Sequence, residues 1–327
     1  MIQLVSVNVV NESIFDVIIL VSDGVKSLSL LEGKYNEIRL AVENFSKICC
    51  SLDEGNDWLI PSEKIPAKRL IYSSTGSIHG DFDDVRKYMK AGIAAGKRFL
   101  MTGARSPLLI TLPTERFPAA QICSAIGIQS SFNLCRDIGD GDPQRMSPSR
   151  VVEYILKEFK DSSIKINVIE NKDQILKNYP LMAAVSRSAN NIEEHRARLI
   201  WLEYIGEGEI TETLFIVGKG VTIDTGGANL KVGTSMYGMS RDKYGSAVLA
   251  GFFRALDILK PTGIKVIGCM CMCRNSIGSN SFTTDEIITA RSGKTIQITN
   301  TDAEGRLAMA DALTEMKELA LKARNPI

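Results

Sequence analysis

Gln297-Ile298-Thr299-Asn300-Thr301-Asp302-Ala303-Glu304-Gly305-Arg306-Leu307 joins two patterns: a strand-like run over residues 294–298 ends in it, and a helical periodicity over residues 303–323 begins in it. Between the two, Asp302, Glu304 and Arg306 occupy alternate positions. Side chains at i, i+2 and i+4 of a tight turn can converge on one point, whereas around a regular helix they point apart. Two hard anionic oxygens beside a planar cation suit a metal ion and an oxyanion. Thr301-x-x-Glu304 also reads as a capping box, with Asp302 adding favourable charge at a helix N-terminus. On this segment alone both readings stand.

Working outward, Lys219-Gly220-Val221-Thr222-Ile223-Asp224-Thr225-Gly226-Gly227-Ala228-Asn229-Leu230-Lys231 follows an apolar run at 214–217 that reads as a buried strand, and Asp242 lies eleven residues after Lys231. A K-G-x-x-x-D-T-G-G-x-x-x-K stretch, an Asp at that distance and a later N-T-D-A-E-G-R closely resemble the leucyl (cytosol) aminopeptidase family of dinuclear zinc exopeptidases. Weaker resemblance runs from Cys135-Arg136-Asp137 to the last residue. Before that, only the layout of elements agrees.

A chain of 327 residues has room for two domains with buried cores. Hydrophobic residues at 44%, charged residues at 24% and a net charge of +1 describe an ordinary globular protein with no electrostatic footprint for nucleic acid or an anionic membrane. The apolar N-terminus lacks a basic region and is interrupted by Asn8, Asn11, Glu12 and Asp16, so it does not read as a signal peptide. No run reaches the ~20 apolar residues of a membrane span. The seven cysteines have no framework spacing. Cys269, Cys271 and Cys273 alternate along a strand-like run, but thiols ~7 Å apart at a rise of ~3.3 Å per residue make a poor tetrahedral set, so buried, reduced thiols of a cytoplasmic protein are expected. Only two histidines occur, His79 in a Gly/Ser loop and His195 in a polar stretch read as solvated. That excludes multi-imidazole zinc sites and leaves carboxylates as the main ligands of any metal.

The first half alternates strands (2–10, 16–21, 69–73, 108–112) with helices (36–50, 82–100, 119–133), an α/β layout. The resemblance implies a macro-domain-like fold here, and no catalytic motif is visible in it. Gly139-Asp140-Gly141-Asp142-Pro143 is a turn-rich break, and Ser147-Pro148 starts a helix over 151–159. The boundary is therefore expected near 133–145, giving an N-terminal domain 1–135 and a catalytic domain 136–327. The second half reads as strands 165–169, 182–185, 199–204, 214–217 and 264–273 with helices 174–178 and 243–259. It is expected to be α/β with a central, mostly parallel sheet and sites at the carboxyl ends of its strands, just past which Lys219 and Asp302 fall. Family members continue beyond Asn325-Pro326-Ile327, so the resemblance implies a chain truncated at its C-terminus, with an incomplete catalytic sheet.

Carried over by position, the resemblance makes Asp224, Asp302 and Glu304 ligands of one ion and Lys219, Asp224, Asp242 and Glu304 ligands of a second. Zn²⁺ is expected, with Mn²⁺, Co²⁺ or Mg²⁺ possible at the looser site. Four carboxylates balance two divalent ions only if Lys219 binds as a neutral amine. Bridging carboxylates suit the ~3.5–4 Å spacing of two-metal sites that activate a shared water. Lys231 would polarise the scissile carbonyl, and Arg306 would hold a bicarbonate acting as general base. Gly226, Gly227 and Gly305 would let backbone and substrate approach closely. Lys243 and Tyr244, where the family has small residues, would narrow or recharge the ground beside the second ion. The resemblance thus implies a cytoplasmic aminopeptidase acting on N-terminal, apolar residues of peptides, a homohexamer when full length. A non-catalytic scaffold or binding member is the competing reading. A phosphate-binding use of residues 219–227 lacks the G-x-x-x-x-G-K-S/T pattern.

Overall fold

Strand β1 (Val17–Ser22) is buried along its whole length, the signature of a central parallel strand covered on both faces. The computed structural model describes residues 15–78, 86–105, 107–112 and 119–327. It divides into two units, 1–126 and 127–327. The expected strand at 2–10 and His79 lie outside the described residues.

In the first unit, helix α1 (Asn36–Ser46), strands β2 (Asp57–Pro61) and β3 (Arg69–Ser74), helix α2 (Arg86–Met101) and strand β4 (Pro107–Thr111) follow β1. The sheet order is β2-β3-β1-β4, with β1 parallel to β3 and β4 and only β2 antiparallel. Alternation of side chains explains the layers. Ile18 and Leu20 pack with Ile38 and Val42 of α1, while Val17, Ile19 and Val21 pack with Tyr88, Ala91 and Ala95 of α2.

The division between units falls within helix α3 (Ala119–Asp140), whose C-terminal end is the Gly139–Pro143 break read in the sequence. The second unit continues with α4 (Pro148–Glu158), β5 (Lys165–Ile169), α5 (Lys172–Asn178), α6 (Pro180–Ser186), β6 (Arg198–Ile205) and β7 (Glu212–Asp224). Helix α7 (Tyr244–Leu259), β8 (Ile264–Asn275), β9 (Ile287–Thr289), β10 (Thr295–Gln297) and α8 (Glu304–Ala320) complete it. The main sheet has the order β5-β6-β8-β7, and β9 and β10 form a separate antiparallel ribbon.

The α/β class is as expected, but this sheet is mixed rather than mostly parallel. Only β7 and β8, joined through α7, are parallel; β5–β6 and β6–β8 are antiparallel. The crossover through α7 lets β7 and β8 run parallel, and the short turn around Gly206 reverses the chain between β6 and β7, so β6 runs antiparallel to β8. Two further expectations change. Residues 182–185 belong to α6, not to a strand: the run is buried on every side, so periodicity cannot decide it, and Pro180 at the first turn favours the helix. Lys219 lies inside β7, not past its end, because β7 extends to Asp224. The glycines that hide this extension have a packing reason. A Cβ on Gly218 would come within 2.8 Å of Gly245 O, and one on Gly245 within 2.7 Å of Lys219 N, so α7 rests directly on the β7 backbone.

Strand β8 carries the core on both faces. Cys269, Cys271 and Cys273 point toward α6 and α8, and Met270 and Met272 toward α4 and α7. The three thiols are free and fully buried. At the chain's end, Asn325 O accepts from Thr213 N at 3.2 Å, Ile327 O accepts from Phe215 N at 3.0 Å and Ile327 N donates to Thr213 O at 2.8 Å. The last residues thus run parallel to β7 on the side away from β8.

Candidate metal centre

Three pieces of chain build the site: the end of β7 with its turn to Lys231, the Asp242 turn before α7, and the 3₁₀ turn Thr301–Ala303 that leads into α8. Asp224, Asp302 and Glu304 each offer a carboxylate oxygen within 4.8 Å of the others. Asp242 joins them through Lys219, whose Nζ lies 2.7 Å from Asp242 Oδ2 and 2.9 Å from Glu304 Oε1. Lys231 Nζ lies 2.9 Å from Asp224 Oδ2 and 2.5 Å from Asp302 Oδ1. Six of the seven residues singled out in the sequence therefore meet in one ion-paired cluster. The seventh, Arg306, is exposed on the first turn of α8 and has no ion pair or hydrogen bond to a described residue.

The capping box is not formed. Asn300 Oδ1 accepts from Asp302 N at 2.8 Å and caps the turn instead. Thr301, fully buried, donates from Oγ1 to Gly226 O at 2.6 Å and accepts from Asn229 N at 2.8 Å, while Asn229 Oδ1 accepts from Thr301 N at 2.8 Å. This reciprocal clamp ties the two motifs together and frees Glu304 to turn inward. The glycines leave room for it. A Cβ on Gly226, at φ +88°, would lie 2.3 Å from Asn229 O, and one on Gly305 would lie 2.4 Å from Lys219 Cε.

Electrostatics sharpen the arrangement. Burial opposes the charge of both lysines, yet the carboxylates of Asp242 and Glu304 raise the pKa of Lys219, and those of Asp302 and Asp224 raise that of Lys231. Burial pushes the Glu304 carboxyl up, against the pull of Lys219. Glu304 Oε1 and Asp242 Oδ2 are buried and, though charge-paired, accept no well-aligned hydrogen bond. Four carboxylates against two ammonium groups leave the cluster short of positive charge, and its converging carboxylate oxygens fit a hard divalent cation.

Asn275 was not visible as a site residue. Fully buried at the end of β8, its Nδ2 donates to Asp224 Oδ1 at 2.7 Å and to Thr301 O at 3.1 Å. Gly226 N also donates to Asp224 Oδ1, at 2.9 Å, so that oxygen is saturated and Oδ2 is left to pair with Lys231. The only sequence signal was a polar pair, Arg274-Asn275, closing a largely apolar strand. Asn275→Ala is expected to cost about 1–3 kcal/mol of stability and to weaken divalent-metal binding about 10–100-fold, read by thermal melts and metal titration together.

Lys243 and Tyr244 do not face the centre. Lys243 Nζ donates to Gly141 O at 2.7 Å and to Ser240 O, and Tyr244 OH donates to Asp140 Oδ1 at 2.9 Å. His195 is half-buried rather than fully solvated: its Nε2 lies 3.3 Å from an Arg274 guanidinium nitrogen, and its Nδ1 is buried with no hydrogen-bond partner among the described residues. Burial, reinforced by Arg274, holds the imidazole pKa below its ordinary value. The folded state thus keeps His195 neutral, and stability is lost as pH falls through ~6.5, where the unfolded chain takes up the proton. Between pH 7.5 and 5.5 the melting temperature should fall more in the parent than in His195→Gln.

The cytosol aminopeptidase family, catalytic domain, matches residues 133–324. This chain belongs to the cytosol aminopeptidase family. A Caenorhabditis elegans protein named as an aminopeptidase is 45% identical over 99% of the chain, which spans 71% of that relative. A Metamycoplasma salivarium protein named as a cytosol aminopeptidase is 36% identical over 58% of the chain, which spans 36% of it. Among solved structures, leucyl aminopeptidase from Trypanosoma brucei in complex with bestatin has a TM-score of 0.61 at 20% identity, covering 90% of this chain and 64% of that one. The bottromycin maturation enzyme BotP in complex with Mn also has a TM-score of 0.61, at 19% identity, covering 92% of this chain and 68% of that one. These two likenesses show a shared fold. The family is one of exopeptidases, and the match includes the whole ion-paired cluster.

Proposed function

We propose that this chain carries the metal centre of an aminopeptidase that removes N-terminal, apolar residues from peptides. Lys219, Asp224, Asp242, Asp302 and Glu304 would hold two divalent ions, Zn²⁺ foremost, with Mn²⁺, Co²⁺ or Mg²⁺ at the side that offers only oxygens. The observation that carries this reading is the convergence of Asp224, Asp302 and Glu304, each with a carboxylate oxygen within 4.8 Å of the others, in a cluster where four carboxylates face two ammonium groups. Bound ions would supply Lewis-acid polarisation of the peptide carbonyl and a water that ionises near neutral pH. The BotP structure, a complex with Mn, and the bestatin-bound leucyl aminopeptidase support the assignment by likeness of fold.

The chain's own residues divide the remaining work. Lys231 stays charged between Asp224 and Asp302 and donates to the carbonyl oxygen as negative charge develops on it. Asn275 and Gly226 N keep Asp224 in a single orientation. Arg306 presents an unpaired guanidinium, whose planar fork matches bicarbonate, and the bicarbonate would take the proton of the attacking water. The assembled protein would be a cytoplasmic homohexamer.

The test combines metal titration with hydrolysis of aminoacyl anilides. Two Mn²⁺ or Zn²⁺ equivalents are expected to bind, and chelation should abolish hydrolysis reversibly. Binding without hydrolysis would favour a scaffold role; absence of both would sink the proposal.

A further inference from the structure

Asp242 stands in a segment with little support of its own. The loop before it, residues 232–238, is largely exposed, with Val232 at 79% and Tyr237 at 93%. Helix α7 begins immediately after it with no side-chain cap. What holds the segment is a pair of walls. On one side it meets β7: Asp242 faces Lys219, Gly245 rests on the Lys219 backbone and Ser246 Oγ donates to Gly218 O at 2.9 Å. On the other side it meets the C-terminal end of α3. Arg241 Nε lies 3.1 Å from Asp140 Oδ1, Tyr244 OH donates to the same oxygen, and Lys243 Nζ donates to Gly141 O.

Two features show that the second wall is fitted. Lys243 is completely buried, which an ammonium tolerates only when its protons are used, and here it joins Gly141 O of one wall to Ser240 O of Asp242's own turn. Gly139 sits in the last turn of α3, where glycine weakens a helix, yet a Cβ there would meet the Tyr244 ring at 2.4 Å. The tyrosine ring thus seats directly on the helix backbone.

We propose that Arg241, Lys243 and Tyr244 are positioning residues that clasp the end of α3 and so fix Asp242 against Lys219 and Glu304, setting metal affinity on that side of the centre. This rests on the two-ion reading above. The Asp224–Asp302 side is anchored separately, by Asn275 and the Thr301–Asn229 clamp, so loosening the clasp weakens one ion and spares the other.

The experiment is calorimetric titration of Mn²⁺ into the chelator-stripped chain, with melting temperatures taken in parallel. The parent should bind two ions. Lys243→Met keeps the buried volume and removes the link; it should weaken the second ion about 10–100-fold and leave the first unchanged. Gly139→Val should do the same by pushing on the ring, and so should Tyr244→Ala, which removes the ring and its bond to Asp140; combining the two should add little to either loss. Weakening of both ions together, or of neither, overturns the clasp, as does a double variant that regains the parent's affinity for the second ion. If Gly139→Val does not fold, Lys243→Met alone decides. A parent that binds fewer than two ions overturns the two-ion reading itself, and is told apart because the defect precedes any substitution.

Discussion

Asp302→Ala is expected to empty at least the first metal position and abolish turnover while leaving the fold intact. The turn that presents Asp302 is capped through its backbone N–H, which donates to Asn300 Oδ1, and alanine keeps that bond. Lys231 keeps Asp224 as a partner. The structural cost is therefore confined to one favourable charge at a helix start, about 0.3–1 kcal/mol. Arg306→Ala provides the contrast. Arginine stays protonated and cannot be a ligand, so both ions should remain, and an exposed, unpaired side chain contributes little to stability. Turnover should still fall, by about 10–10³-fold, because the proton acceptor loses its anchor, and added bicarbonate should restore part of it. Metal content and kcat measured side by side decide the matter. Arg306→Ala losing metal as fully as Asp302→Ala, or keeping the parent kcat, would remove Arg306 from the chemistry.

Gly305→Val should be the second severe variant, although Gly305 bears no functional group. Its Cβ would stand 2.7 Å from Lys219 Nζ and 2.4 Å from Cε, so the lysine must swing out from between Asp242 and Glu304. Glu304, with its side chain only 1% exposed, is then left without its counter-charge. Breaking a buried pair costs on the order of 3–5 kcal/mol. The sign of its pH dependence follows from Glu304. Burial already pushes that carboxyl above its ordinary pKa, and losing Lys219 pushes it further. The protonated form is thus preferred in the folded state, and the variant's instability should grow as pH rises and shrink as pH falls toward 5. Metal titration should show loss of the Lys219-side ion. A variant with the parent's melting temperature and two bound ions would disprove the close packing inferred for this glycine.

Much of this centre was legible in the sequence because its chemistry lies in unusual residue types at fixed spacing. Asp302, Glu304, Asp224 and the two lysines are charges next to apolar runs, and such charges need a reason. What escaped was carried by ordinary residues. Asn275 looks like any strand-ending polar residue, and its importance exists only once β8 is laid beside β7. Thr301 could equally be read as a cap, because the local pattern fits one; a partner 72 positions away, Asn229, holds the hydroxyl instead. Lys243 and Tyr244 were placed beside the centre because they neighbour Asp242 in sequence. Yet consecutive side chains at the start of a helix diverge, and these two turn toward α3. In the fold, tertiary burial overrode a β-like reading of α6, and two glycines concealed how far β7 continues.

The pairing of Asn325 and Ile327 with Thr213 and Phe215 bears on how the protein is handled. Anything joined after Ile327 starts out parallel to β7 and headed along that edge toward Lys219 and Asp224. At ~3.3 Å per residue, a polyhistidine tag placed there spans the distance within about nine residues and delivers imidazoles to the carboxylates. In metal-binding measurements, a histidine tag placed directly after Ile327 should therefore register as spurious high-affinity metal uptake that vanishes on its removal.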